Sequence, residues 1–171
     1  DVYVTFYGGE PTLNRGFIEE IMRRYPHFRF QLQTNGTLLD TLPVWVLAKL
    51  SNILISIDGS EKATDGYRGR GVYQQVLRNL ARVRDSIGGS VTARVTWSSD
   101  LIGFEELDEL AEVFDYIYFQ FVASGAYSAA AVERRKGVLR ELIGRFFRDT
   151  ERLYPIIPLM GAVRNKVMPA R

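Results

Sequence analysis

Phe28-Arg29-Phe30-Gln31-Leu32-Gln33-Thr34-Asn35-Gly36 is the stretch that decides how this 171-residue chain folds. Apolar and polar side chains alternate along it, and Asn35-Gly36 closes it with a tight turn. The spacing predicts a β-strand over 28–34. A side-chain period of 2 puts Phe28, Phe30 and Leu32 on one face and Arg29, Gln31, Gln33 and Asn35 on the other. The alternation recurs downstream. Ile53, Ile55 and Ile57 oppose Ser56 and Asp58 within 53–58. Val91, Ala93, Val95 and Trp97 oppose Thr92, Arg94 and Thr96 within 91–97. Ile117, Phe119 and Phe121 oppose Tyr118 and Gln120 within 116–122. A further β-rich run, Val2-Tyr3-Val4-Thr5-Phe6-Tyr7, stands at the start of the sequence.

Between these runs lie helical patterns at 15–25, 40–50, 72–87, 103–114 and 132–152. Asn14, Asp40 and Ser128 read as N-caps, and Gly88-Gly89 as the glycine stop of the third helix. Pro155 and Pro158 interrupt the chain after the last helix, so the tail is expected to be irregular. Strands alternating with helices imply right-handed βαβ units and a parallel sheet, in an α/β fold. Such a run suits either a doubly wound sheet or the staves of a barrel. Parallel strands covered by helices on both faces are apolar throughout. Here one face stays polar on strand after strand, and that favours an open barrel whose lumen receives a polar ligand.

Composition narrows the function classes. The apolar fraction of 46% and charged fraction of 25% are those of a globular chain. A net charge of +2, with bases and acids mixed along the helices, offers nothing to nucleic acid or an anionic membrane. No apolar run reaches the roughly 18 residues of a membrane span, so a cytoplasmic location is expected. The sequence holds no cysteine and one histidine, His27. Thiolate ligands, disulfides and histidine-rich metal sites are therefore excluded within it. A lyase or aldolase barrel is disfavoured, because Lys49, Lys62, Lys136 and Lys166 all fall off the strands and His27 precedes one.

Ligands of α/β folds gather at the C-terminal ends of the strands. Those ends read Tyr7-Gly8-Gly9-Glu10-Pro11-Thr12, Gln33-Thr34-Asn35-Gly36-Thr37, Ser56-Ile57-Asp58-Gly59, Arg94 to Ser98, and Gln120 to Val122. Gly8 and Gly9 admit a ligand close to the backbone, and Glu10 offers a carboxylate to a cation. Asn35-Gly36 and Asp58-Gly59 hold polar side chains at the rim, and Arg94 suits a ligand carboxylate. Together they suit a zwitterion bearing an ammonium, a carboxylate and ribose-like hydroxyls.

Tyr-Gly-Gly-Glu-Pro-Thr-Leu at 7–13, Gln-Thr-Asn-Gly-Thr-Leu-Leu at 33–39 and Ile-Ser-Ile-Asp-Gly at 55–59 resemble the radical S-adenosylmethionine (SAM) enzymes. Asp65-Gly66-Tyr67-Arg68-Gly69, Gly71-Val72-Tyr73 and Asn79-Leu80 extend the resemblance, which covers roughly residues 1 to 125. It is nearest to the SPASM-type branch that contains anaerobic sulfatase-maturing enzymes and peptide modifiers. The resemblance implies a partial (βα)6-type radical SAM barrel over 1–125. Residues 126–171 would form a C-terminal helix and tail leading toward a cysteine-rich domain.

It further implies that Gly8, Gly9 and Glu10 contact the methionyl ammonium of SAM. Ser56, Asp58 and Arg94 would hold its ribose and carboxylate, and Gln120 would border the adenine. Gln33, Asn35 and Arg68 become candidates for the ligand or substrate side, Arg68 being equally readable as a loop salt bridge. The family's reaction is reductive cleavage of SAM to a 5′-deoxyadenosyl radical, which abstracts hydrogen from a peptide, protein or small molecule. It uses a [4Fe–4S] cluster held by Cys-x3-Cys-x2-Cys and an electron donor such as flavodoxin or ferredoxin. Those cysteines are absent here. The expectation is therefore a core excised from a longer oxidoreductase, without the first strand and the cluster loop, and inactive by itself. The alternative is a cluster-free, noncatalytic module that binds a nucleotide or peptide at the same mouth.

Overall fold

The computed structural model describes residues 2–97, 102–122, 127–148 and 156–161. Among them, five parallel strands lie side by side in chain order: β1 (Tyr3–Phe6), β2 (Arg29–Thr34), β3 (Leu50–Ser56), β4 (Ser90–Trp97) and β5 (Tyr116–Phe121). Sequential order without a reversal is the winding of barrel staves, not of a doubly wound sheet. Six helices accompany them: α1 (Arg15–Arg24), α2 (Val44–Lys49), α3 (Glu61–Arg68), α4 (Val72–Val83), α5 (Phe104–Val113) and α6 (Ala129–Arg148). The chain therefore has the winding of a partial parallel (βα) barrel.

The two faces of the sheet differ as the alternation requires. Phe30, Leu32, Ile53, Ile55, Val91, Ala93, Val95, Trp97 and Ile117 are each no more than 1% exposed on the helical side. Fully burying an aliphatic or aromatic side chain of this size stabilises by about 1.5–3 kcal/mol, so this face holds most of the folding energy. The opposite face presents Thr5, Gln31, Gln33, Arg94, Thr96 and Gln120, which are half-buried or exposed. There Thr5 donates to Gln31 (3.2 Å) and Thr92 to Asn52 (3.2 Å), so neighbouring staves satisfy one another's polar groups.

Several boundaries depart from those expected. Asp40 caps no helix: it sits in a 3-10 turn, Leu39–Thr41, and pairs with Arg82 at 3.0 Å. The helix begins only after Pro43, whose fixed φ of −59° and missing N–H suit a helix entrance. Leu50 already belongs to β3, and the register between β2 and β3 shifts at Phe30/Gln31. Asn14 and Ser128 do cap their helices, accepting from the amides of Phe17 (3.4 Å) and Ala131 (3.2 Å). Helix α3 was not foreseen; Ser60 caps it through the Ala63 amide (3.4 Å).

The third predicted helix is α4, which ends at Val83 and passes through a 3-10 turn, Arg84–Ser86, before the two glycines. Gly88 and Gly89 are needed for a different reason from a helix stop. A Cβ on Gly88 would lie 2.0 Å from the Ala48 carbonyl oxygen, and one on Gly89 would lie 2.3 Å from that of Ser51. The pair lets the approach to β4 cross the α2–β3 junction in backbone contact. In the tail, Ile156 forms a parallel bridge to Ile117 and is fully buried, and 157–161 make a helical turn. Pro155 and the predicted helical residues 149–152 lie outside the described residues. No described helix is long and apolar enough to cross a membrane.

Replacing Gly88 by alanine should destabilise the chain by about 3 kcal/mol, since the clash is with backbone that cannot turn aside. Denaturant unfolding of Gly88→Ala beside Gly66→Ala, where a Cβ meets open space, is the check.

Candidate functional site

The turn after β1 carries Gly8 at φ +98° and Gly9 at φ +54°, both in the left-handed region that favours glycine. A Cβ at either position would meet nothing within 4 Å, so this stretch of backbone stands open to an incoming group. Glu10 follows, and its carboxylate is turned back into the protein. Oε1 accepts from the Thr12 amide (3.1 Å), the Thr12 hydroxyl (2.6 Å) and the Thr34 hydroxyl (2.7 Å). Oε2 accepts from the Asn35 amide at 2.6 Å. Each carboxylate oxygen has two lone pairs, and Oε2 accepts from one described donor, so it keeps capacity for one more. Glu10 thus ties the end of β1 to the end of β2.

Asn35 shapes the next loop. Its Oδ1 accepts from the amide (2.9 Å) and hydroxyl (2.7 Å) of Thr37, an Asx turn. Gly36 stands at φ +78°, where a Cβ would come within 2.9 Å of Ile55. Helix α4 fastens this loop from behind. Asn79 Nδ2 donates to the carbonyls of Gly36 (3.2 Å) and Thr37 (2.8 Å), and Gln75 Nε2 donates to Thr37 (3.1 Å).

Asp58 does at β3 what Glu10 does at β1. It is 2% exposed and receives a bidentate contact from Arg68, through Nε at 2.7 Å and Nη2 at 3.0 Å. Its Oδ1 also accepts from the Thr96 amide on β4 (3.0 Å), and its own amide donates to Thr64 Oγ1 (3.0 Å). Arg68 is the last residue of α3, so this fork joins β3, β4 and α3. Asp65 closes the same helix onto α4 by accepting from the amides of Gly71 (2.6 Å) and Tyr73 (3.0 Å). Those bonds, Tyr73's first, hold its carboxyl below the ordinary 3.8, with the Arg70 charge adding to them.

Arg94 has a different setting. The register aligns Ser56, Arg94 and Tyr118 in one row across β3, β4 and β5, with Thr96 and Gln120 in the next. Gln33 shares its row with Leu54 and Thr92, one step nearer the strand starts. Arg94 makes no side-chain hydrogen bond or ion pair with the described residues, and it is half-buried. Of the residues expected from the sequence, Glu10–Asn35 and Asp58–Arg68 are in direct contact, and Ser56–Arg94 are register neighbours.

Thr12, Thr34, Thr64, Asn79 and Thr96 were missed as parts of this assembly. Two left a signal. Thr34 is a polar residue in the apolar phase of Phe30 and Leu32, and Asn79 sits among the buried Val76, Leu80 and Val83 of α4. Among the described residues no group of His, Cys, Asp and Glu could hold a metal ion, and the sequence lacks cysteine. The residues present do not fit an iron–sulfur cluster. They do fit a polar organic ligand at the strand ends, with open glycine backbone on one side and, on the other, a guanidinium that no described residue pairs.

The Radical SAM superfamily model matches residues 1–117. Native anSMEcpe with bound AdoMet has a similar fold, at 17% identity and a TM-score of 0.68, over 97% of this chain and 52% of that one. Native anSMEcpe with bound AdoMet and the Cp18Cys peptide gives 17% identity and 0.70, over 97% and 53%. A domain of pyruvate-formate lyase-activating enzyme from Bacteroides vulgatus ATCC 8482 gives 16% identity and 0.60, over 82% and 94%. The chain thus spans about half the length of the two anSMEcpe chains. No curated protein matches the sequence.

Asp58→Asn should cost about 2–4 kcal/mol, because it leaves a partly buried guanidinium without its counter-charge; urea unfolding measures it. The depressed Asp65 carboxyl gives stability that is fully present above about pH 4 and is lost as pH falls through its folded value. Thermal melts between about pH 3 and pH 6 should therefore fall less steeply toward acid in Asp65→Asn than in the unmodified chain.

Proposed function

Since the chain belongs to the radical SAM superfamily, we propose that it forms the SAM-binding centre of an enzyme that cleaves SAM reductively for hydrogen abstraction. The substrate class would be a peptide, a protein or a small molecule. The bound peptide of anSMEcpe favours the first of these. The cluster that supplies the electron, fed by a donor such as flavodoxin or ferredoxin, needs ligands other than these residues, since none is cysteine.

In this reading the open backbone at Gly8 and Gly9, with the remaining acceptor position of Glu10, receives the methionyl ammonium. Arg94 receives the carboxylate, Ser56 lies beside it on the same row, and Gln120 borders the adenine. Asp58, whose oxygens are occupied by Arg68 and the Thr96 amide, positions the end of β4. Gln33 and Asn35 face the substrate side. Residues 126–171 would lead on toward a cysteine-rich domain.

The observation that carries the proposal is Arg94. A half-buried cation with no anion beside it among the described residues, on the polar face of the sheet and in line with Ser56, is set to meet an anionic ligand.

S-adenosylhomocysteine keeps the groups recognised here and is not cleaved, so it reports binding alone. Calorimetry should show saturable binding, weakened by about tenfold or more in Arg94→Ala, as for a lost charge-assisted hydrogen bond. Equal affinity in Arg94→Ala would remove the proposed site. Anaerobic treatment with iron and sulfide should leave the 171-residue chain unable to cleave SAM. Micromolar adenosine binding that is indifferent to Arg94 would instead favour a noncatalytic nucleotide-binding module.

A further inference from the structure

Behind the end of β4, on the helical side of the sheet, the structure holds a cavity of about 290 Å³ between the start of α5 and the face of α6. Strand alternation turns Trp97 into it, away from Arg94 and Thr96, so it is separate from the mouth proposed for SAM. Trp97 is fully buried, Arg135 of α6 is 8% exposed, and both line the cavity. The indole Nε1–H of Trp97 and the Nε–H of Arg135 have no hydrogen-bond partner among the described residues. Both groups donate and neither can accept. Two buried orphan donors on one cavity are rare, because an unmet buried donor is costly.

Neither donor can turn aside. The indole is wedged between Phe119, edge-on at 5.2 Å, and Phe121, tilted at 5.1 Å. The Arg135 guanidinium lies 3.8 Å over the Tyr127 ring. Ile102 and Val138 supply apolar wall, Gly103 and Gly137 leave room, and Arg134 and Glu141 complete the lining.

We infer that this cavity is a binding site for a small monocarboxylate with an apolar body. Its oxygens accept from Trp97 Nε1–H and Arg135 Nε–H, and its carbon chain lies against Ile102 and Val138. Two fixed N–H groups, one of them cationic, select an anionic oxygen pair over a neutral amide. The apolar wall selects a carbon chain over inorganic phosphate.

The sequence has two tryptophans, so the Trp97 indole N–H gives one of two indole cross-peaks in a ¹H–¹⁵N spectrum, assigned by its loss in Trp97→Phe. Hexanoate should shift that peak saturably, and hexanamide and inorganic phosphate should not. Arg135→Met should weaken the response by about tenfold or more. A Cβ at Gly137 meets nothing within 4 Å, so Gly137→Leu should fold, fill the cavity and abolish the response. A peak unmoved by hexanoate up to about 10 mM would overturn the inference. So would equal shifts from hexanamide or phosphate, or an undiminished response in Gly137→Leu.

Discussion

Parallel strands that end in a ligand mouth leave backbone amides at their C-terminal ends without a ladder partner, and each must find an acceptor. Here a carboxylate from the neighbouring strand end supplies it. Glu10, after β1, accepts from the Asn35 amide at the end of β2, and Asp58, after β3, accepts from the Thr96 amide at the end of β4. Each acid is then oriented by other donors, Thr12 and Thr34 for Glu10, and Arg68 for Asp58. Such charge-assisted bonds are about twice as strong as neutral ones. They fix the spacing of the staves at the end where a ligand would enter.

That arrangement shapes the electrostatics of the mouth. Arg68 is matched by Asp58, and most of the Glu10 charge is spent on amides and hydroxyls. What faces the open side is glycine backbone at positions 8 and 9, the polar groups of Ser56 and Gln120, and the Arg94 cation. Such an arrangement offers open backbone and a cation at the strand ends, groups that suit an anionic ligand. Glu10 and Asp58, read in the sequence as ligand contacts, are tied into the scaffold by these bonds.

Much of the fold was legible because alternation and length are local properties. Phe30 and Leu32 against Gln31 and Gln33 located β2 and its two faces. The polar phase repeated on Ser56, Arg94 and Gln120 argued against a sheet sandwiched between helices. Helix ends were less legible, since Asp40 looks like a cap until Pro43 is seen to set the true entrance. Gly88-Gly89 looks like a helix stop until the carbonyls of Ala48 and Ser51 are found against it. Both errors concern residues whose partners lie in another part of the fold.

The sequence by itself determined the five strands, their polar and apolar faces and the ligand-end loops, because each is written in spacing along the chain, and its motifs carried the resemblance to the family. Tertiary structure alone decided which charges are spent and which are free. Asp58, Arg68 and Arg94 are equally polar letters in the sequence. Only the register of β3 against β4 and the placement of α3 bring the first two together and leave the third without a pair among the described residues. Pairing between charges depends on distance in space, and that distance is set by packing of the helical face.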